Sequence, residues 1–363
     1  MSEAINQNLR PFPPVDLREM REEKLERIRR EAQQSRAAVE HLSEYLPKTA
    51  GVAPHASAQT GYYGLPLLKK PQWTTAVPVY FFTGGVGGAA AILATAGAIT
   101  RADERLIRDA RYLAAIAGAI SPALLIWDLG MPSRFLSMLR VFKLQSPMSV
   151  GSWTLVAFSS SAAGVAFLDA VNRRNSNAFQ FDVLQNAGQF LAAIAGVILM
   201  TYTGVLIGAT AIPVWNENAR MLPTHFATSG LSAAGALLEL RGHTSPALNA
   251  IGIATCAAES AVGVSIELRK SPALRPLKSG RSGWLTRLGG FLAGPLPLAL
   301  RLLSLGAGKE RSVKLRRIAA ASSVAGSMVT RFAWTSAGAS SAKDTPTLLE
   351  IQSEKLLEEK LKR

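Results

Sequence analysis

The sequence predicts an all-α fold, a polytopic membrane protein in which eight transmembrane helices form a bundle flanked by polar helical tails. Between Val77 and Trp334 the chain carries eight apolar stretches, each close to twenty residues long, separated by short basic or Gly/Pro-rich links. A bilayer's hydrocarbon core takes about 20 apolar residues per crossing helix. Backbone in lipid must satisfy its own hydrogen bonds, which makes each stretch helical. The composition agrees: 48% of residues are hydrophobic, and many of these are alanine set among glycine and serine.

Residues 1–75 read as a polar N-terminal tail. Within it a charged amphipathic helix is expected over about 16–46, where Leu25, Ile28, Ala32, Ser35, Val39, Leu42 and Leu46 alternate spacings of three and four, a seam of about three heptads. Residues 48–60 read as linker, and no apolar run precedes Val77, so no cleavable signal peptide is expected. The transmembrane domain, 76–335, is expected to cross at 77–100, 111–129, 149–171, 187–211, 222–240, 247–268, 284–305 and 314–334. Gly84 and Gly88 make a GxxxG step in the first crossing and Gly204 and Gly208 repeat it in the fourth; small residues at this spacing let helices approach closely. Pro122 is expected to bend the second crossing, and Pro295 and Pro297 to break the seventh. The C-terminal tail, 336–363, carries a short Leu/Glu/Lys helix after Asp344-Thr345-Pro346.

Several function classes drop out. The formal charge of +15 belongs at lipid head groups and loop ends. No basic stretch is interleaved with stacking aromatics, so no nucleic acid is expected as a partner. Cys256 is the single cysteine, and an iron–sulfur cluster needs several thiolates. Of the four histidines only His225 and His243 lie near the bilayer, at opposite ends of the fifth crossing and roughly 27 Å apart, which leaves no pair of axial ligands for a haem. No metal site is expected in this chain.

With eight crossings both tails share one side, the N-face. Trp73, Trp127, Trp153, Trp215, Trp284 and Trp334 all fall at crossing ends on that side, whereas an ordinary aromatic belt populates both interfaces. The N-face also holds GYYGLP (61–66) and the long connection 128–153. Rigid aromatic loops gathered on one side suggest a surface built for a ligand or partner. Loop Lys and Arg divide eleven against twelve between the faces, so charge leaves the membrane orientation undetermined.

Ionisable groups inside the membrane are the candidates for chemistry. Glu259 falls near the middle of the sixth crossing and is expected to face the bundle interior, as a proton relay or bonded to a neighbouring Ser or backbone carbonyl. Asp128 ends the second crossing before the turn Gly130-Met131-Pro132, with Arg134 within reach for an ion pair or a ligand contact. His225 opens the fifth crossing on the aromatic face, either as an interfacial side chain or as hydrogen-bond partner and proton acceptor for a quinone head group. Tyr80 and Tyr202 lie inside crossings, where they pack or offer a hydroxyl.

Three blocks, GYYGLPLLKKPQWTTAVPVYFFTGGVGGAAAIL, IWDLGMPSRFLSMLRVFKLQSPMSVGSW and AGSMVTRFAWTSAGASSAKD, together resemble the NrfD/polysulfide reductase membrane-subunit family over roughly residues 61–345. The Asp128–Arg134 block matches that family's Asp-Leu-Gly-x-Pro-x-Arg run, while Ala89-Ala90 stand where relatives often place a serine. The resemblance implies eight helices, no haem or metal in this subunit, and a quinone or quinol pocket near the face that docks an iron–sulfur subunit. His225 and Glu259 are nominated by position alone.

The expected function is that of a quinone-interacting membrane anchor in a multi-subunit respiratory oxidoreductase of the inner cell membrane. It is expected to be non-catalytic alone but to be the quinone-reactive subunit of a molybdopterin/iron–sulfur oxidoreductase complex. It uses menaquinone or ubiquinone as substrate and exchanges electrons with a ferredoxin-like iron–sulfur subunit wired to a molybdopterin-type catalytic subunit. The rival is a secondary transporter or proton channel without a redox role, which would show broken helices in matching positions of two halves.

Overall fold

In the computed structural model the described residues are 68–172 and 179–344, with Glu26, Arg30, Thr347, Leu348 and Glu350 besides. The chain divides into two compact units, Met1–Gly64 and Leu65–Arg363. In the first, Arg30 pairs with Glu26 one helical turn away at 3.0 Å. The heptad seam of the N-terminal tail and most of the C-terminal helix lie outside the described residues.

The second unit is helical throughout its described residues. In chain order it comprises α1 (Ala76–Ile99), α2 (Glu104–Leu129), α3 (Pro132–Met138), α4 (Pro147–Asn172), α5 (Phe179–Gly208), α6 (Pro213–Asn216), α7 (Leu222–Leu240), α8 (Pro246–Leu268), a 3₁₀ turn (Pro272–Leu274), α9 (Arg275–Lys278), α10 (Gly280–Ala293), α11 (Pro295–Leu305) and α12 (Lys309–Ser341). Helices α1, α2, α4 and α5 pack as one group, and α7, α8, α10/α11 and α12 as another. The groups meet where α7 and α12 lie against α1 and α7 lies against α5.

Six segments are long and apolar enough to cross a membrane: Ala76–Ile99, Glu104–Leu129, Pro147–Asn172, Val183–Gly208, Pro246–Leu268 and Gly280–Leu305. Helices α7 and α12, the other two expected crossings, are long but more polar, and their position explains the difference. Twelve of the nineteen residues of α7 are buried by neighbouring helices, so they face protein and need not be apolar. Helix α12 opens with the charged turns Lys309–Arg317 and carries its polar residues inward.

Three links expected from sequence are shorter than predicted because charged residues sit on helix. Helix α2 begins at Glu104, where the Asp103 side chain accepts from the Arg105 N–H as an N-cap, so most of 101–111 is helical. Helix α12 begins at Lys309, and α5 begins eight residues before the expected crossing, at Phe179. The connection 128–153 is not all loop: α2 stops at Gly130 in the left-handed region (φ 70°), and Pro132 then opens α3.

Pro122 sits inside α2 without ending it. A proline at that position cannot donate to the Gly118 carbonyl, and the vacancy is filled from α4, whose Ser159 hydroxyl donates to Gly118 O at 2.7 Å. The seventh stretch does break as expected, at Gly294, which joins α10 to α11 against Ser260 of α8.

The glycine contacts are more selective than the GxxxG pattern suggests. Gly88 meets Gly196 of α5 backbone to backbone, and a Cβ at either would collide with the other's carbonyl. Gly84 meets only the Leu199 side chain, at an ordinary 3.7 Å. Gly204 packs on the backbone of Leu222 and Pro223 in the first turn of α7, and Gly208 on Ala219 in the turn before it.

Candidate functional site

The two ends of the bundle differ. At one, the start of α1 meets the end of α2, α6 and the end of α12. Asp128 Oδ1 accepts from the Thr74 N–H at 2.9 Å and from its hydroxyl at 2.7 Å, and no ion pair joins it to Arg134. Arg134 is exposed and donates to the Leu129 carbonyl at 3.3 Å instead. Of the two expected roles, ion pair or ligand contact, the Asp128–Arg134 ion pair is replaced by a clamp between the segment leading into α1 and the end of α2, because Thr74 offers two donors to one carboxylate oxygen.

The tryptophans at this end serve two purposes. Trp215 and Trp334 are buried, the Trp215 indole N–H donates to Trp334 O at 2.8 Å, and Trp73 stacks on Trp215 with ring centroids 5.1 Å apart. Trp127 and Trp284 are exposed, at 76% and 63%, as interfacial anchors are. Beside Trp73 opens a cleft of about 530 Å³, lined by Thr74, Arg281, Phe332 and Thr335 among others.

Behind this aromatic wall lies a buried polar cluster. His225 stands in the first turn of α7, which Pro223 opens, and its ring lies 6.1 Å from Trp334. Its Nδ1 is 3.4 Å from Glu259 Oε1 of α8, and the two residues are 5% and 2% exposed. Arg331 of α12 completes the group: it is fully buried, its guanidinium lies 4.0 Å above the Phe226 ring, and its Nη2 donates to Phe226 O at 2.8 Å. Five buried polar atoms here lack a hydrogen-bond partner: His225 Nδ1, both Glu259 oxygens, and Arg331 Nε and Nη1. Buried polar groups are nearly always bonded, so this concentration singles the cluster out as the candidate site.

Two of the expected residues, His225 and Glu259, are therefore brought together, and of the two expectations for Glu259, a proton relay or a bond to a serine or carbonyl, no such bond is formed. Tyr80 is buried in α1 near Tyr202 of α5 and does not join them. Arg331 was missed, and so were Glu239 and Arg301, a fully buried pair at 2.6 Å. The rule that singled out Glu259, an ionisable residue within an apolar run, applies equally to Arg301 in LPLALRLLSL and Arg331 in MVTRFAW. Cys256 is buried and free, as a small core residue. Among the described residues no group of three or more His, Cys, Asp or Glu could hold a metal ion.

Residues 68–242 match the family described as Polysulphide reductase, NrfD. No curated protein matches the chain. The match bears out the family resemblance over those residues and takes in Asp128 and His225, while Glu259, Arg331 and the block AGSMVTRFAWTSAGASSAKD lie beyond it.

Proposed function

With an NrfD-type segment as the premise, we propose that the chain is the quinone-reactive anchor subunit of a respiratory oxidoreductase, crossing the inner cell membrane eight times between two polar tails. The six apolar segments supply most of the crossings, and α7 and α12, screened by their neighbours, supply the other two. The observation that carries the reading is the buried, under-bonded His225–Glu259–Arg331 cluster behind the Trp73–Trp215–Trp334 wall.

A quinone head group is planar and apolar with two carbonyl acceptors. It needs stacking surface, donors, and a proton exchanger near the membrane surface. The cleft offers the first two through Trp73, Thr74, Arg281 and Thr335. His225 and Glu259 offer the third, a titratable pair shielded from bulk water. Asp128 acts one step back, by fixing the Thr74 backbone and hydroxyl at the cleft rim. Electrons pass to or from a ferredoxin-like iron–sulfur subunit docked on this face, itself joined to a molybdopterin-type subunit; menaquinone and ubiquinone both fit the chemistry.

The transporter reading is less well supported. It needs matching breaks in two halves, and while α10/α11 breaks at Gly294, α2 runs unbroken through Pro122. The test is to purify the protein with whatever it carries and assay His225→Gln and Asp128→Asn. Quinone-linked turnover is expected to fall in both, with dye-linked activity of the attached soluble subunits retained. Unchanged quinone turnover in both variants removes the assignment.

A further inference from the structure

Over the first two turns from the His225–Glu259 pair, helices α7, α8 and α12 present buried polar groups to one another at about one-turn intervals. One turn below the His225–Glu259 pair, Ser229 Oγ and Ser327 Oγ lie 2.8 Å apart. A turn further, Cys256 Sγ lies 3.7 Å from Ser323 Oγ and 4.0 Å from Ser232 Oγ. From His225 to Glu239 is roughly 21 Å at the helical rise, and over the last two turns the polar group between Cys256 and Glu239 is the Arg301 side chain of α11. Left open, a polar seam of this length through an apolar bundle would let water and protons through.

It is blocked near its far end. Arg301 of α11 enters the seam with its side chain 1% exposed, and its Nη2 and Nη1 donate to the two Glu239 carboxylate oxygens at 2.6 and 3.1 Å. The same Nη1 donates to Asn249 Oδ1 at 3.2 Å. The guanidinium fills the space that Gly252 leaves on α8, where any Cβ would collide with it. Arg316 shares Glu239 from the outside and donates to the Thr244 and Ser245 carbonyls, which ties the cluster to the α7–α8 turn. Two guanidinium groups face one carboxylate, so the cluster keeps a net positive charge at a nearly fully buried position.

We propose that Arg301, Glu239 and Arg316 form a proton barrier that seals the polar seam at the end of the bundle remote from the tryptophan cleft. A guanidinium cannot surrender its proton under working conditions, and a fixed positive charge in a narrow, low-dielectric passage repels an incoming hydronium ion. The ladder of hydroxyls is thereby open toward His225 and closed toward Glu239. This inference does not depend on quinone chemistry.

The test uses the full-length chain in phosphatidylcholine/phosphatidylglycerol vesicles carrying a trapped pH dye, with a valinomycin-clamped potassium gradient driving proton entry. The wild-type protein is expected to leave the vesicles as tight as protein-free ones. R301Q, and R301Q/E239Q in which two amides replace the buried pair, are expected to admit protons at least about tenfold faster once folding is confirmed by melting. Adding S327V to the double variant removes a rung of the seam and is expected to restore tightness. A wild-type protein that conducts, a folded R301Q or R301Q/E239Q variant as tight as wild type, or a leak indifferent to S327V would overturn the proposal.

Discussion

His225 and Glu259, thirty-four positions apart in sequence, face each other across 3.4 Å inside the bundle, and neither His225 Nδ1 nor either Glu259 oxygen has a hydrogen bond. On the proposed function this contact is the proton exchanger of the quinone site. Glu259→Gln keeps the shape and removes the acid. It is expected to slow quinone-linked turnover by roughly 10²-fold or more, the usual contribution of a general acid–base, with a melting temperature near that of wild type. Steady-state turnover with a soluble quinol beside a melting curve checks both.

Glu239 and Arg301 are structural in the stricter sense. Glu239→Ala leaves a fully buried guanidinium without its carboxylate, a change that costs about 3–5 kcal/mol. Glu310→Ala, at a pair whose side chains are 84% and 71% exposed, is expected to change stability by less than about 0.5 kcal/mol. Denaturation in detergent should separate the two plainly.

Of the paired glycines in α1, only one is at a helix contact that matters. Gly88→Ala drives a methyl into the Gly196 carbonyl and is expected to cost about 1–3 kcal/mol. Gly84→Ala meets the Leu199 side chain at 3.7 Å and is expected to be neutral or slightly stabilising, since alanine is the better helix former. Thermal melting of both variants checks the ordering.

The Asp128–Thr74 clamp predicts a local effect. Asp128→Ala removes two hydrogen bonds that tie the start of α1 to the end of α2, a loss of about 1–3 kcal/mol. It should raise proteolytic cleavage before Ala76 and shift Trp73 fluorescence. Arg134→Ala, whose side chain only touches the Leu129 carbonyl, should leave both readouts unchanged.

How far the sequence reveals this molecule depends on the range of each interaction. Helix α4, expected at 149–171 and found at Pro147–Asn172, is legible because a crossing is written in consecutive residues. The start of α2 was misplaced because Glu104, Arg105 and Arg108 look like a link, although Asp103 caps a helix there. The same holds within the site. His225 and Glu259 stood out singly by depth, but their contact did not, and Arg301 could not be matched to a carboxylate sixty-two positions away. Gly88 was visible as a small residue, but its partner Gly196 was not, since approach of two backbones leaves no pattern in either helix alone.

Pro122 shows the reverse flow of information. Its ring orphans the carbonyl of Gly118, and the Ser159 hydroxyl answers from the neighbouring helix. In lipid that carbonyl has no solvent to turn to, so the two helices can slide past each other only by stranding it. One imino acid in α2 thus dictates the height at which α4 must stand.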